Sequence, residues 1–259
     1  MESAALDTIV YKHEDPRPLS RRERKRQRRE LKRTGFNNNN NLNLKHIEPL
    51  TVNQDRMFES YLSGKNLLLH GVAGTGKTFI SLYLALRDII ENYDDKTKVV
   101  IVRSIVPTRD MGFLPGSQKE KSKVYEAPYY AICNELFGRG DAYDVVKGKN
   151  QVEFISTSFI RGTTLTDSIV IVDECQNLTF HELDSIITRL GHNCRLIFCG
   201  DFRQTDLWRE SEKQGLMNFM KVLSKMSSFD CIEFEKEDIV RSALVKEYIL
   251  SKLKHGIST

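Results

Sequence analysis

A glycine-rich segment constrains the fold of this 259-residue chain more than any other feature. It reads Gly71-Val72-Ala73-Gly74-Thr75-Gly76-Lys77-Thr78 and fits the pattern G-x-x-x-x-G-K-[S/T] without a gap. The apolar run Leu67–His70 precedes it, and a helical pattern with Phe79, Ile80 and Leu84 follows. A strand, a glycine loop and a helix in this order form a backbone cradle for phosphate groups. The segment therefore predicts an α/β fold with a phosphate site at the end of a strand.

Each residue type in the glycine loop has a physical reason to be there. The three glycines let the backbone wrap closely around phosphate, and the helix N-terminus adds partial positive charge. Lys77 is expected to reach the β- and γ-phosphates, and Thr78 to ligate Mg²⁺. We predict that the nucleotide is bound by Gly71, Val72, Ala73, Gly74, Thr75, Gly76, Lys77 and Thr78, with Lys77 also catalytic.

Two further strand patterns end in polar residues. The buried run Ile169–Val172 ends in Asp173 and Glu174. Asp173 is predicted to hold Mg²⁺, directly or through water, and Glu174 to be the general base for the attacking water. A glutamate beside the metal ligand favours hydrolysis, because a nucleotide kinase needs an acceptor site there instead. The next strand pattern ends in Gly200-Asp201, and we predict that Gln204 hydrogen-bonds the γ-phosphate or the attacking water.

Short apolar runs alternate with helical periodicity from Lys45 onward, which predicts a mostly parallel sheet with helices on both faces. Ligands of such sheets bind beyond the carboxyl ends of the strands. The predicted strands are Asn66–His70, Lys98–Val102, Val152–Ser156, Ile169–Val172, Arg195–Cys199 and Cys231–Phe234. The predicted helices are Asn53–Leu62, Lys77–Asn92, Ala127–Phe137, Phe180–Leu190, Gln214–Lys225 and Ser242–Lys252.

Charge divides the chain into two predicted parts. Residues 1–44 hold 11 Lys/Arg against 6 Asp/Glu, so the rest of this +4 chain carries a net −1. We expect 1–44 to be a disordered basic arm with an Asn-rich linker, and 45–259 to be the folded domain. The arm is expected to bind a phosphate backbone, although a solvated tail without a partner is the alternative. No apolar run approaches the roughly 18 residues of a membrane span, so we expect a cytoplasmic protein with no membrane partner.

Several motifs together resemble the PhoH family: the glycine loop, Val-Asp-Glu-Cys-Gln-Asn at 172–177 and Gly-Asp-x-x-Gln-x-Asp-Leu at 200–207. Shorter matches are Gly112–Gly116, Arg161–Leu165, Ile187–Gly191 and Asp238–Arg241. That family is similar to the ATPase core of superfamily-one helicases. The resemblance implies a RecA-like P-loop NTPase that uses ATP and Mg²⁺ and acts on RNA, with helicase or ribonuclease-linked activity proposed; we expect the RNA to be single-stranded. A chain of 259 residues leaves little room for the second motor domain that helicases use, so we expect a homo-oligomer such as a hexameric ring in its place. The compact size and the N-terminal extension favour a phage-encoded member, placed in the host cytoplasm.

Residues outside these core motifs have two open interpretations each. Gln54 lies where such helicases read the adenine edge, but it is also the last residue of a capping-box pattern begun by Thr51. Arg241 is predicted to be catalytic as an arginine finger, in the same subunit or a neighbouring one, or else is a surface residue. Arg161 and Arg189 are weaker candidates for phosphate or substrate contact.

The sequence departs from the family pattern at two places, and it contains one candidate stretch for binding single-stranded nucleic acid. Arg103-Ser104 stands where many relatives read Arg-Pro, and Arg241-Ser242-Ala243 stands where Arg-His-Pro is common. The stretch Met111–Tyr130 interleaves lysines with tyrosines, which suits stacking on a single nucleic-acid strand or packing of a surface loop. Its residues of this kind are Lys119, Lys121, Lys123, Tyr125, Tyr129 and Tyr130.

Three functional classes stay open from the sequence. The favoured one is a Mg²⁺-dependent ATP hydrolase coupled to nucleic acid, with RNA preferred to DNA. A nucleotide-switched RNA-binding module without translocation is the second. A nucleotide kinase is the third, because thymidine kinases also combine a phosphate loop with Asp-Glu-x-Gln; they usually add a zinc-binding cysteine lobe, whose spacing the five cysteines here do not match.

Overall fold

The computed structural model describes residues 42–91, 96–104, 118–202, 207 and 209–255, with the backbone alone at 118–122. These residues include a six-stranded sheet, in which every pair of neighbouring strands is parallel. The strands are Asn66–Gly71 (β1), Lys98–Arg103 (β2), Val152–Ser156 (β3), Ser168–Val172 (β4), Cys194–Gly200 (β5) and Phe229–Phe234 (β6). All the predicted strands are thus present, with ends shifted by at most two residues.

The helices of the described ranges include all those that the periodicity predicts. They are Val52–Leu62 (α1), Lys77–Glu91 (α2), Gln118–Phe137 (α3), Ala142–Gly148 (α4), Thr157–Ile160 (α5), Phe180–Ile187 (α6), Glu210–Leu223 (α7) and Ala243–Lys254 (α8). Helix α3 begins well before the predicted start at Ala127, and Pro128, a residue more usual in a first turn, lies inside it. Helices α4 and α5 were not predicted, because so few turns give too little periodicity to recognise.

Helices cover both faces of the sheet because neighbouring residues of a strand point to opposite sides. On β1, Leu67 and Leu69 join a core built with α1, α2, α3 and α4, whereas Leu68 joins a second core built with α6 and α7. Residues of β2, β4 and β5 alternate between the same two cores. The sheet therefore confirms the predicted fold class, an α/β P-loop NTPase of RecA-like type with helices on both faces.

The strand order decides where the polar motifs meet. Across the sheet the order is β3-β2-β4-β5-β1-β6, so β5 lies between β1 and β4. All strands run the same way, and their carboxyl ends form one edge, here called the carboxyl edge. The glycine loop, the acids after β4 and Asp201 after β5 all follow strands at this edge. The opposite edge, where the strands begin, is called the amino edge.

A buried polar cluster ties elements together at the amino edge. The Tyr61 hydroxyl, at the end of α1, donates to Asp88 Oδ2 of α2 over 2.7 Å. Arg195 at the start of β5 lies 3.6 Å from the same oxygen, and its guanidinium stacks on the Tyr61 ring at 4.4 Å from the centroid. Arg87 lies 3.6 Å from Asp88 Oδ1. The buried aspartate thus has arginine at both oxygens.

The described chain begins with residues that already contact the domain. Leu42, Leu44 and Ile47 pack against the core, and the Lys45 amide donates to the Leu136 carbonyl over 2.9 Å. Residues 1–41 lie outside the described residues, so the basic arm remains a prediction. Among the helices that the structure does describe, none combines the length and the apolar character that crossing a membrane requires.

Candidate active site

The glycine loop between β1 and α2 has the backbone conformation that its residue types predict. Gly71, Gly74 and Gly76 have φ angles of 112°, 80° and 86°, a region that residues with a side chain rarely adopt. At Gly71 a Cβ atom would also lie 2.0 Å from the Phe234 carbonyl oxygen of β6. The loop can therefore keep this path only with glycine at that position.

Lys77 lies folded along the glycine loop. Its Nζ donates to the carbonyl oxygens of Gly71 and Val72 over 2.9 and 2.8 Å, and lies 3.3 Å from Thr75 Oγ1. Burial lowers the pKa of Lys77, whereas Asp201 and the other nearby acids oppose that shift. An ammonium held by weakly charged carbonyl oxygens at the mouth of a glycine loop can exchange them for phosphate oxygens, which carry more negative charge.

The structure brings the two predicted metal ligands together. The Thr78 hydroxyl donates to Asp173 Oδ1 over 2.7 Å, although the residues are far apart in sequence. The Tyr129 hydroxyl donates to Asp173 Oδ2 over 2.8 Å. Burial and the neighbouring Glu174 raise the pKa of Asp173, and the bonds from Thr78 and Tyr129 oppose the rise. Hydroxyl and carboxylate oxygens beside surplus negative charge suit Mg²⁺, so these residues fit the predicted cation.

Glu174, the predicted general base, is held by an amide two residues later. Its φ of 53° lies in the left-handed region, which is uncommon for a residue other than glycine. Gln176 Nε2 donates to Glu174 Oε2 over 2.6 Å, and Gln176 Oε1 accepts a bond from the Asp201 amide over 3.1 Å. The residue pattern predicts no role for Gln176 beyond its place in the motif at 172–177. The signal that could have indicated one is a polar residue in a buried turn. The side-chain amide of Gln176 thus links Glu174, after β4, to Asp201 at the end of β5.

Gln54 contacts the glycine loop from α1. It is 2% exposed, its Nε2 donates to the Thr75 carbonyl over 2.9 Å, and its Oε1 accepts a bond from the Leu50 amide over 2.7 Å. Thr51 caps the helix by accepting from the Gln54 amide over 3.3 Å. The side chain thus binds Leu50 where a capping box would bind Thr51, and it must give up a bond to reach adenine. Its adenine role stays a prediction.

Arg241 lies against the glycine loop, and Gln204 lies outside the described residues. The Val240 amide donates to the Gly74 carbonyl over 3.0 Å, and a Cβ at Gly74 would be 3.0 Å from Cγ of the exposed Arg241. Just before this segment, Asp238 Oδ2 accepts bonds from Asn53 Nδ2 over 2.7 Å and from the Glu235 amide over 2.9 Å. The predicted arginine finger is therefore next to the phosphate site.

The tyrosines of α3 are placed differently from the expectation of a strand-binding surface. Tyr125 and Tyr129 are 8% and 1% exposed, so the base-stacking interpretation is wrong for both rings. Both residues lie in α3, so the alternative of a surface loop is wrong as well. Tyr129 packs in the core beside Phe154 of β3. Tyr130 donates to Asp144 over 2.7 Å, and its ring lies 4.3 Å from that of Tyr143. Lys123 is exposed, and the side chains of Lys119 and Lys121 lie outside the described residues.

The motifs Arg161–Leu165 and Ile187–Gly191 meet at the amino edge. The Leu165 amide donates to the Arg189 carbonyl over 2.9 Å, and the Gly191 amide donates to the Leu165 carbonyl over 2.6 Å. Arg189 therefore precedes the start of β5, whose seven residues span about 20 Å to the carboxyl edge. This placement is too distant for contact with a nucleotide in the glycine loop. Arg161, at the end of α5, is exposed.

Comparison of sequences places the chain among known proteins. A family model described as PhoH-like protein matches residues 46–251. A PhoH-like protein of Synechocystis sp. is 33% identical over 180 residues, which are 69% of this chain and 54% of that protein. A PhoH-like protein of Bacillus subtilis is 32% identical over 188 residues, 71% and 58% of the two chains. Protein PhoH of Escherichia coli is 34% identical over 176 residues, 67% and 49%. The chain spans about half the length of these relatives.

Solved structures give a more distant similarity. The UvsW helicase from bacteriophage T4 aligns with a TM-score of 0.38 and 19% identity, covering 74% of this chain and 61% of its own. The Pif1 helicase from Candida albicans aligns with a TM-score of 0.36 and 18% identity, covering 82% and 46%. TM-scores of this size carry no argument about function.

Proposed function

The chain belongs to the PhoH-like protein family, and on that premise we propose that it is a Mg²⁺-dependent ATP hydrolase that acts on RNA. The observation that supports this best is the 2.7 Å contact between Thr78 Oγ1 and Asp173 Oδ1. It brings the hydroxyl after the phosphate-binding lysine to the acid that ends β4. Hydroxyl and acid from these two positions hold the metal of a P-loop NTPase.

The proposed chemistry assigns one task to each side chain. Mg²⁺, when bound by Thr78 and Asp173, would neutralise charge on the phosphate oxygens. Lys77 binds the β- and γ-phosphates, and its charge stabilises the transferring phosphoryl group. Gln176 holds one oxygen of Glu174, and the second oxygen can accept a proton from the attacking water. This arrangement favours hydrolysis over transfer to another acceptor.

Further residues complete the proposed site at its periphery. Arg241 lies against Gly74 and is exposed, so its guanidinium can serve the γ-phosphate of the same subunit or of a neighbour in a homo-oligomer such as a hexameric ring. Gln204 is proposed to contact the γ-phosphate or the water, and Gln54 the adenine. ATP is the proposed nucleotide on account of Gln54, since its amide can both donate and accept.

The proposed partner is single-stranded RNA, bound in the cytoplasm. Support comes from the basic residues of 1–44, which carry a net +5, because a dense basic run is attracted to a phosphate backbone. If RNA binding is coupled to ATP hydrolysis, the protein would be an ATP-dependent remodeller of RNA structure, and unwinding of RNA duplexes would be the most extensive remodelling.

The test is ATP hydrolysis by the full-length protein with Mg²⁺ and single-stranded RNA or DNA of the same sequence. We expect turnover that RNA stimulates more than DNA does, and a stimulation that weakens as salt is raised. The Lys77→Ala variant controls for contaminating ATPases. Absence of hydrolysis with either polymer would contradict the proposed activity, and stronger stimulation by DNA would contradict the proposed substrate. Strand displacement on duplexes with 3′ or 5′ tails tests unwinding.

A further inference from the structure

We propose that Tyr129 is a positioning residue for the metal site: its hydroxyl fixes the rotation of the Asp173 carboxylate so that Oδ1 stays beside Thr78 and faces the cation. The inference rests on the proposed function, because it assigns Thr78 and Asp173 to Mg²⁺. It adds a residue of α3, a helix outside the glycine loop and the acid motif, to the groups on which cation binding depends.

The contacts of Asp173 divide its two oxygens between two roles. Oδ1 receives the Thr78 hydroxyl over 2.7 Å, and Oδ2 receives the Tyr129 hydroxyl over 2.8 Å. Adjacent oxygen ligands of octahedral Mg²⁺ lie about 3.0 Å apart, since each is about 2.1 Å from the metal. Thr78 Oγ1 and Asp173 Oδ1, 2.7 Å apart, are thus close to the spacing of a pair of ligands. Tyr129 occupies the oxygen that the pair does not use.

A carboxylate needs such a partner because its terminal torsion is soft. Rotation about the Cβ–Cγ bond of aspartate has broad, two-fold preferences rather than sharp wells. Without a donor at Oδ2, the repulsion between Asp173 and Glu174 would be free to turn the group. Partners that orient a metal ligand from behind contribute to metal affinity although they never touch the metal.

Tyr129 is itself held on two sides, so its hydroxyl has a fixed position. The residue is 1% exposed, and its ring lies 5.9 Å from that of Phe154 on β3. Burial raises the pKa of Tyr129, and the Arg103 guanidinium at the end of β2 opposes the rise because it lies near the Tyr129 hydroxyl. Arg103 at the end of β2, Tyr129 of α3 and Asp173 just after β4 are therefore neighbours behind the metal site.

The molecule contains a matched control for this contact. Tyr61 also donates a buried hydroxyl to a buried carboxylate, Asp88, over 2.7 Å, but it lies at the amino edge of the sheet. Tyr61→Phe and Tyr129→Phe each delete one such hydroxyl and leave the ring in place. Both are expected to lower thermal stability to a similar degree. Only Tyr129→Phe is expected to change the response to the metal.

The experiment measures binding of a fluorescent, non-hydrolysable ATP analogue to the full-length protein while Mg²⁺ is titrated. For Tyr129→Phe we expect the Mg²⁺ concentration at half-maximal binding to rise about 10-fold. Affinity for the analogue in EDTA is expected to stay within about two-fold of wild type, because the glycine loop is intact. Mn²⁺ bound in the presence of the analogue, counted by electron paramagnetic resonance, gives a second readout that needs no turnover.

Each outcome has a distinct meaning. An unchanged Mg²⁺ midpoint in Tyr129→Phe, or an equal shift in Tyr61→Phe, would overturn the positioning role. Wild-type protein that takes up no analogue at any Mg²⁺ concentration would instead overturn the proposed function. Arg103→Lys keeps the positive charge but loses the fork that supports Tyr129. It should raise the midpoint by a smaller factor, and it tests the same group of neighbours if Tyr129→Phe folds poorly.

Discussion

Two buried aspartates, one at each edge of the sheet, accept a hydrogen bond from a tyrosine but differ in the charges around them. Asp88 at the amino edge has arginine near both oxygens, from Arg87 and Arg195. Asp173 at the carboxyl edge is followed by Glu174, and burial with this like charge raises its pKa, although Arg103 opposes the rise. The charge of Asp88 is already balanced by its arginines and needs no ligand. A buried carboxylate with a second acid beside it leaves a place for the proposed cation, and this contrast is the reason to propose a site at Asp173 and a structural contact at Asp88.

The largest expected effect comes from removing the phosphate-binding lysine or the general base at the carboxyl edge. Lys77→Ala and Glu174→Gln should each lower the turnover of ATP by about 10³-fold or more. Lys77→Ala loses the positive charge that binds the phosphates, and Glu174→Gln loses the proton acceptor. Glu174→Gln should still bind the ATP analogue. Steady-state kinetics and analogue titration measure the two effects. Turnover at the wild-type rate in Glu174→Gln would contradict the assignment of the base.

At the amino edge the expected effect is on stability alone. Asp88→Asn removes the negative partner of two partly buried arginines, and we expect it to lower the free energy of unfolding by about 3 kcal/mol. Asp173→Asn should lower the free energy of unfolding by about half as much or less, because it removes a carboxylate that is already unfavourable in the fold. Burial and repulsion from Glu174 raise the pKa of this carboxyl group. Denaturant titration without Mg²⁺ measures both. An equal loss of unfolding free energy in Asp88→Asn and Asp173→Asn would contradict the proposed contrast between the edges.

Gln176 tests how the general base is held. Gln176→Ala removes the hydrogen bonds from Gln176 to the Glu174 carboxylate and to the Asp201 amide, and we expect turnover to fall about 10- to 100-fold with KM for ATP little changed. The control is Gln214→Ala on α7, which removes an exposed amide bonded only to a helical neighbour in the described contacts. If KM rose while turnover stayed constant, Gln176 would act in nucleotide binding instead.

The smallest expected effect concerns Asp238, which accepts hydrogen bonds from Asn53 and the Glu235 amide shortly before Arg241. Burial alone would raise the pKa of Asp238, but hydrogen bonds from Asn53 and Thr51 lower it. Stability from the carboxylate is therefore fully present above its unfolded pKa of about 3.9 and is lost as pH falls through the lower folded value. We expect Asp238→Asn to lower the free energy of unfolding by about 1 kcal/mol at pH 7 and by progressively less below pH 4. Denaturant titration at several pH values measures this. A difference in unfolding free energy from wild type that stays constant between pH 7 and pH 3 would contradict the prediction.

The fold class could be predicted from the sequence because its main signals are local. The glycine loop with its flanking strand and helix, and the acids after β4, are each patterns of residues adjacent in the chain. The contact from Tyr129 to Asp173 joins residues 44 positions apart, and it depends on the path of α3 across the sheet. From the sequence, Tyr129 suits base stacking or the packing of a surface loop, because a tyrosine among lysines has the same pattern whether its ring faces solvent or the core.

The position of β1 in the sheet has a consequence for biosynthesis. Both neighbours of β1, residues 194–200 and 229–234, are translated long after it. While the ribosome adds the intervening segments, Leu67, Leu68 and Leu69 have no adjacent strand to cover their backbone groups, and such unpaired strands invite aggregation. We expect a nascent chain stalled before Cys194 to need chaperone protection, and the glycine loop to gain its final shape only after most of the polypeptide has left the exit tunnel.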